Sequence, residues 1–294
     1  MSDFMPKILR ATIAPLIFNK STYLLGMVLI RFSRKLRTRK YTKGVKNLPI
    51  IIKKCMGNIT MKVDKTSYMG GSIYWSGFHH VNEIVFLNNF LQPNMVLVDI
   101  GANQGEFSLF AASKLTEGKV ISFEPVSKQH GMLTENITLN SFKNIIVNNY
   151  GLSDQVASLP IYTSLNEDLH SGIHEGLSTL FATGDRVDLE ETIDLKIFDI
   201  EFENKLEKID FIKIDIEGSE LFALKGMRNH LSRFKPMILI ELNDDTFGAA
   251  NYTVKDVTDY LEEFGYQAYT LFRGKITKHE GAFSTWGNYI FKAN

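Results

Sequence analysis

From Val96 onward, short continuous apolar runs alternate with segments whose apolar residues recur every three or four positions. The runs fall near 96–100, 119–124, 145–150, 209–215 and 236–242. Their length and unbroken apolar character are those of parallel strands buried on both faces. Helical spacing is clear at 81–91, where Val81, Val85, Leu87, Phe90 and Leu91 are apolar. The alternation predicts an α/β fold, a mostly parallel sheet with helices on both faces. A last pair of strands near 266–272 and 286–292 brings the expected count to seven. Residues 48–75 read as short strands turning at Gly57 and at Gly70–Gly71, a small β lead-in. The stretch 152–208 is too long for a simple connection. Its polar, glycine-containing part at 166–180 is either a lid or wall over a ligand or a surface β-excursion.

The N-terminus has a different pattern. An apolar window at 11–30 is broken by Pro15 and Lys20 and followed by Arg31, Arg34, Lys35, Arg37, Arg39, Lys40, Lys43 and Lys46. Lys20 weighs against a membrane span, which needs about twenty apolar residues. The charge cluster also lies on the wrong side for a secretory signal. Two readings remain: an N-terminal helix packed on the domain, and an interfacial helix held by apolar burial and anionic lipid. Residues 1–45 are accordingly expected to be a basic extension and 46–294 the main domain, with its core near 78–294. Net charge is zero, yet residues 1–64 carry 14 Lys and Arg against Asp3 and Asp64, a balance of +12. The remaining 230 residues balance at −12. No nucleic-acid module accompanies the basic run, so nucleic acid is not expected as a partner. Cys55, the single cysteine, excludes an intramolecular disulfide and is compatible with a cytoplasmic location, peripheral on the inner face of a membrane if the interfacial reading holds. The seven histidines show no metal-ligand spacing, and no metal site is expected.

The candidate chemistry sits where the runs end. Val96–Ile100 enters the turn Gly101-Ala102-Asn103-Gln104-Gly105, and the next run ends on Glu124-Pro125. Glycine lets the backbone turn tightly and approach a ligand. A carboxylate at the following strand tip suits a ribose diol, because an ionised acceptor strengthens the hydrogen bond. A dinucleotide site needs glycine at the third and sixth positions of the turn. Here they are Asn103 and Glu106, and a carboxylate at the helix end repels a diphosphate. Asp99 is expected to face a cationic group. The pattern therefore points to S-adenosylmethionine, which carries an ammonium and a sulfonium and no phosphate.

A third motif, Lys213-Ile214-Asp215-Ile216-Glu217-Gly218-Ser219-Glu220, is followed by the run Pro236–Glu241. With the glycine turn and Phe123-Glu124-Pro125, these segments resemble the FkbM family of S-adenosylmethionine-dependent methyltransferases over about residues 70–294. The resemblance implies a class I methyltransferase (Rossmann-like) fold with its last strand antiparallel. It implies S-adenosylmethionine as the cofactor and, most often, methylation of a hydroxyl on a saccharide, glycolipid precursor or natural product. The expected donor-binding set is Asp99, Gly101, Ala102, Asn103, Gly105, Glu124, Pro125, Gly151 and Asp215.

Asp215 and Glu217, at the fourth strand tip, are the leading catalytic candidates. Their roles are ranked as donor or acceptor contact, then proton acceptance, then shared metal binding. Glu241 either orients a substrate hydroxyl or satisfies a turn. His79, His80, His170 and His174 are further base candidates, since imidazole titrates near neutrality. His174 is favoured because its loop lies in the expected acceptor region. Glu83 falls where the family often has an acid in a Gly-aromatic-Glu context, but this chain reads Gly77-Phe78-His79-His80-Val81-Asn82-Glu83. The acceptor is expected to be a small molecule or glycan. Alternatives are a lipid, amine or protein acceptor, or a non-catalytic donor-binding module.

Overall fold

Alternate residues of the strand Val96–Ile100 enter different cores: Leu97 faces one, while Val96, Val98 and Ile100 face the other. This is the period-two pattern of a strand covered on both sides. The structure, a computed structural model, describes residues 3–40, 48–163, 167–168, 172–173, 178–182 and 186–293.

Helices α1 (Phe4–Phe18) and α2 (Tyr23–Lys40) precede the hairpin of β1 (Pro49–Cys55) and β2 (Ile59–Asp64), then α3 (Tyr68–Ser76) and α4 (Val81–Phe90). The alternating section runs β3 (Val96–Ile100), α5 (Glu106–Lys114), β4 (Lys119–Phe123), α6 (Ser127–Asn140) and β5 (Ile145–Asn148). An excursion follows, with β6 (Gly151–Leu152), β7 (Ala157–Thr163), β8 (Glu167–Asp168), β9 (Gly172–Ile173), β10 (Asp188–Lys196) and α7 (Phe198–Glu201). The chain then re-enters the sheet through β11 (Phe211–Ile214), α8 (Glu220–Lys225), α9 (Arg228–Phe234) and β12 (Met237–Asn243). It ends with α10 (Asp244–Ala249), α11 (Val254–Glu262), β13 (Tyr266–Phe272), β14 (Lys275–Lys278) and β15 (Trp286–Ala293).

The main sheet has the order β14-β13-β15-β12-β11-β3-β4-β5. Strands β12, β11, β3, β4 and β5 are mutually parallel, and β15 is antiparallel to both β12 and β13. The chain lays β4 and β5 on one side of β3, then crosses back to place β11 on the other. That reversal opens a crevice at the carboxyl ends of β3 and β11.

Two expectations need correction. The sheet has eight strands, because β14 adds to the edge through Arg273–Gly274. Both turn residues have positive φ, +51° and +69°, the geometry that matches strand twist in a two-residue hairpin. The Lys275-Ile-Thr-Lys278 strand is polar and shows no apolar run. Residues 68–76 form a helix, not strands with a Gly70–Gly71 turn. Ser67 caps that helix by accepting from the Gly70 N–H, and the helix is buried almost all round, which hides any amphipathic period. The long connection 152–208 contains a β6-β10-β7 sheet whose inner side chains line the crevice, while most of the 166–180 stretch weighed as lid or excursion lies outside the described residues.

The N-terminal helices contribute to the core. Leu9, Ile13 and Ile17 of α1 and Tyr23 and Ile30 of α2 share one cluster with Ile73, Ile84, Leu97 and Leu109. Arg10, also buried, donates to the Tyr74 and Lys53 carbonyls and ties α1 to α3 and β1. The opposite faces stay exposed, at Phe4, Met5 and Ile8 on α1 and at Leu24, Leu25, Val28 and Phe32 on α2. Among the described residues no helix is long and apolar enough to cross a membrane.

Two glycine substitutions separate packing from backbone entropy. A Cβ on Gly70 meets the Asp64 carbonyl oxygen at 2.1 Å, so Gly70→Ala is expected to cost about 1–3 kcal/mol. Gly131 lies in α6 with nothing within 4 Å of its Cβ position, so Gly131→Ala is expected to stabilise by about 0.5–1 kcal/mol. Urea midpoints of the two variants check both signs.

Candidate active site

A cavity of about 410 Å³ opens over the carboxyl ends of β3, β4, β11 and β12. Its floor is the glycine turn. Gly101 has φ +79°, and a Cβ there would lie 2.1 Å from the Asp215 carbonyl oxygen, so only glycine lets the turn cross beside β11. The Gly101 and Ala102 N–H groups both donate to the Phe123 carbonyl at 3.0 Å, joining the turn to β4. Glu124 then reaches back: Oε2 accepts from the Asn103 N–H at 2.8 Å and Oε1 from the Val126 N–H at 3.0 Å. Burial pushes its carboxyl up to about 7, against the pull of those two donors. Each oxygen retains acceptor capacity toward the cavity.

Beneath the turn lies Lys213. Its ammonium donates to the Gly101 carbonyl at 2.7 Å and sits 3.7 Å from both Asp99 Oδ1 and Asp215 Oδ2. Burial alone would depress this amine, but Asp215, Asp99, Glu124 and Glu241 outweigh it and raise the pKa, so the group stays charged. No role was anticipated for Lys213; the one signal was a lysine inside an otherwise apolar strand.

Most of the expected donor set lines the cavity: Gly101, Ala102, Asn103, Glu124, Pro125, Gly151 and Asp215. Two members do not. Asp99 is fully buried and faces Lys213 and Ser108 instead of the cavity. Gly105 has φ +99° and caps the start of α5, where a Cβ would come 2.6 Å from Leu133 Cδ1. Its lack of a side chain serves the packing of α6, not ligand approach.

The far wall is acidic. Single oxygens of Asp215, Glu217 and Glu241 lie within 4.8 Å of one another, and these are the described residues that could hold a divalent cation. Such ions take six or more oxygens, and Glu217 Oε2 is already 2.6 Å from Arg186 Nη1. Glu241 accepts from Trp286 Nε1 at 2.8 Å. Burial and the neighbouring Asp215, Glu217 and Glu220 push it to about 9, so it is largely protonated at neutral pH. Glu220 has a different task. It accepts from the Ile216 and Gly218 N–H groups, both at 2.9 Å, and folds the loop that carries Glu217. Arg186, Ser178 and Leu180 reach the cavity from the excursion.

The histidines divide. His174 and His170 lie outside the described residues. His79 and His80 both line the cavity, and His80 Nδ1 is 2.8 Å from Glu106 Oε2. Burial, then the neighbouring His80, drives His79 down to about 3. Glu83 accepts from Asn288 Nδ2 at 3.0 Å and belongs to the packing of α4 on β15.

The cavity fits a cationic nucleoside better than a diphosphate. Its wall carries Glu124, Asp215, Glu217 and Glu241, and its two cations, Lys213 and Arg186, are already engaged by carboxylates. Gln129, buried beside Glu124 and lining the same wall, has Oε1 without a hydrogen-bond partner among the described residues, an acceptor open to a ligand.

Comparison with known proteins follows the same line. The profile of the methyltransferase FkbM domain matches residues 99–268. The methyltransferase sdnD of Sordaria araneosa is 30% identical over 160 residues, covering 47% of this chain and 62% of that protein. The hexuronic acid methyltransferase AglP of Haloferax volcanii is 29% identical over 171 residues, covering 57% of this chain and 62% of its own. The chain thus spans about three-fifths of the length of these relatives. A crystal structure of an FkbM methyltransferase from Methylobacillus flagellatus superposes with a TM-score of 0.46 at 16% identity, covering 91% of this chain and 60% of the other. With more than half of its residues inside the domain match, the chain belongs to the FkbM family of S-adenosylmethionine-dependent methyltransferases.

Proposed function

We propose that this protein methylates a hydroxyl group of a saccharide or glycolipid precursor, with S-adenosylmethionine as donor. The observation that carries the reading is the continuity of two walls in one cavity. Glu124, Gln129 and the glycine turn form a nucleoside-binding end, and Asp215, Glu217, Glu241, Asn243 and Trp286 form the opposite end. Trp286 is 62% exposed, with its indole N–H tied to Glu241. Such a ring offers an apolar platform to the C–H face of a sugar while Asp215 and Glu217 accept from its hydroxyls. The name of the Haloferax relative, a hexuronic acid methyltransferase, supports a carbohydrate acceptor.

When bound, S-adenosylmethionine supplies an electrophilic methyl group on a sulfonium. Glu124 would hold the ribose hydroxyls, and the acidic wall would favour the donor's positive charges. Asp215, anchored by Lys213 at the β11 tip, would orient the acceptor hydroxyl.

The protein is expected to bind S-adenosylmethionine and S-adenosylhomocysteine in a calorimeter and not NAD. A panel of methyl glycosides of hexoses and hexuronic acids, lipid-linked sugars and amines, scored by S-adenosylhomocysteine release, tests the acceptor class; turnover of amines alone would overturn the saccharide assignment. Trp286→Ala is expected to raise the acceptor KM while leaving donor affinity unchanged.

Glu124→Ala is expected to weaken donor binding about ten- to a hundredfold, since hydrogen bonds to an ionised group are worth about 1.5–3 kcal/mol. The pH dependence has a definite sign. The folded pKa of about 7 exceeds the ordinary 4.5, so between these values the folded protein holds a proton that the unfolded chain has released. This stabilisation is complete below pH 4.5 and is lost as pH rises through 7. Donor hydroxyls favour the ionised carboxylate, so affinity is expected to rise with pH from 5.5 to 8. Calorimetry at pH 6 in buffers of different ionisation enthalpy reads the proton released, and Glu124→Gln should abolish it.

We also propose that the outer faces of α1 and α2 rest on an anionic membrane. The spacing of Leu24, Leu25, Val28 and Phe32 puts them on one helical stripe with Arg31 and Lys35, all exposed. Phe4, Met5 and Ile8 are exposed on α1, beside Lys7. Apolar side chains flanked by basic ones suit an anionic lipid surface. Because both helices are part of the core, surface substitution is a cleaner test than truncation. The protein is expected to cosediment with vesicles containing phosphatidylglycerol and not with pure phosphatidylcholine, and Leu25→Glu with Val28→Glu should abolish it. Equal sedimentation with both vesicle types, or loss of the effect only as a dimer dissociates, would refute the lipid assignment.

A further inference from the structure

Resting on the hydroxyl-methylation reading, we infer that His80 is the base that takes the acceptor's proton, and that Glu106 holds it in the working tautomer. Glu106 is the first residue of α5, one position past the glycine turn, and its side chain is 1% exposed. Two backbone N–H groups and one ring nitrogen converge on its carboxylate. Oε1 accepts from the His79 backbone at 2.6 Å and the His80 backbone at 3.2 Å, while Oε2 faces His80 Nδ1 at 2.8 Å. Burial alone would lift this carboxyl, but the hydrogen bond and charge of His80 and the backbone donors hold it below its ordinary value. An ionised carboxylate can only accept. The proton of a neutral His80 therefore sits on Nδ1, and the lone pair on Nε2.

Nε2 makes no hydrogen bond to a described residue, and the ring lines the same cavity as Asp215 and Asn103. Its side chain is 25% exposed. The ring is held by Phe107 at 5.2 Å and edge-on by His79 at 4.3 Å. The charged groups acting on it come from three elements: Glu106 on α5, Glu83 on α4 and Asp215 after β11. Burial pulls the imidazole down, but these three carboxylates raise its pKa above the usual value. A nearby fixed negative charge also stabilises the imidazolium formed when the proton arrives, as in other carboxylate–histidine pairs.

The competing groups are already committed. Asp215 is ion-paired with Lys213 and Glu217 with Arg186, while Glu241 is largely protonated near neutrality. His79 donates its backbone N–H to Glu106, and its own ring packs edge-on against Tyr68. In the step itself the acceptor oxygen forms the new bond to the methyl carbon, and the carbon–sulfur pair stays on sulfur. The hydroxyl proton passes to His80 Nε2 and is released to water afterwards.

The test uses full-length protein with His80→Gln and Glu106→Gln. Side-chain 15N resonances of histidine, assigned by loss in His80→Gln, are followed from pH 5 to 9. His80 is expected to show the Nδ1-protonated neutral tautomer and a pKa above 6.5, and that pKa should fall in Glu106→Gln. An Nε2-protonated tautomer, or a pKa unmoved in Glu106→Gln, would overturn the pairing without reference to turnover. In the transfer assay His80→Gln should keep its circular dichroism and donor affinity and lose about 10²–10⁴ in kcat, the range of a positioned base. The ascending limb of the wild-type pH profile should vanish in that variant and move to lower pH in Glu106→Gln. Wild-type kcat with an intact limb in His80→Gln would remove His80 as the base while leaving the methyltransferase reading standing. If the wild type binds donor but methylates no saccharide in the panel, the acceptor reading fails, and the tautomer and pKa measurements decide the His80–Glu106 pair alone.

Discussion

The cavity depends on one buried ammonium. Lys213 is 5% exposed, in a buried strand whose other residues are apolar. It bridges Asp99 on β3, the carbonyl of Gly101 in the turn, and Asp215 at the tip of β11. Strand pairing fixes the registers of β3 and β11, but the direction of the chain beyond Ile100 and Ile214 is set by these contacts. A buried pair contributes little net stability over an apolar replacement, whereas removing one partner leaves an uncompensated charge at a cost of about 3–5 kcal/mol. The network therefore acts mainly as a specification of geometry. It puts one oxygen of Asp215 beside Lys213 and keeps the glycine turn over the strand ends.

Negative charge is graded across the cavity. Close to Lys213, Asp99 and Asp215 are compensated. Farther out, Glu217 leans on Arg186, which arrives from the excursion, so the outer wall is complete only when that excursion is folded in place. Glu241, held by an indole N–H, is lifted to about 9 by burial and by its acidic neighbours. A ligand that brings positive charge, or several hydroxyl donors, offsets the burial and mutual repulsion that raise Glu217 and Glu241. The same grading explains why phosphate-bearing cofactors are poor fits, and it comes from side chains on four separate elements.

Much of the frame was legible because it rests on local patterns. The five parallel strands and the antiparallel closing strand fall where apolar runs and carboxylate tips put them, and Glu124, Asp215 and Glu217 meet in one cavity. What was not legible depends on long-range packing. Asp99 and Glu106 both read as acids near a glycine turn, and strand position alone suggested that Asp99 faces the ligand. In the fold Asp99 points beneath the turn to Lys213, and Glu106 turns toward the α3–α4 connection to meet His80. The α3 helix was missed because burial on every side erases its period, and β14 because an exposed edge strand need not be apolar.

The packed reading of the N-terminal segment accounts for its inner face, and the proposed lipid contact concerns its outer face. An apolar window followed by a basic run was weighed as either a packed helix or an interfacial one. A helix has two faces, and here the inner one, with Ile13, Ile17, Tyr23 and Ile30, is spent on the core. Gly26 permits the close approach of α2 to Ile17, where a Cβ would come within 2.9 Å. Had the segment been only a packed helix, its outer face would carry polar residues, as the solvent side of a surface helix does. Instead the outer stripe of α2 keeps Leu24, Leu25, Val28 and Phe32 exposed. Scattered single apolar residues on a surface need no explanation, but a stripe at helical spacing bordered by Arg31 and Lys35 does. The core that takes up these inner faces also holds α4 and α5, from which Glu106 reaches His80.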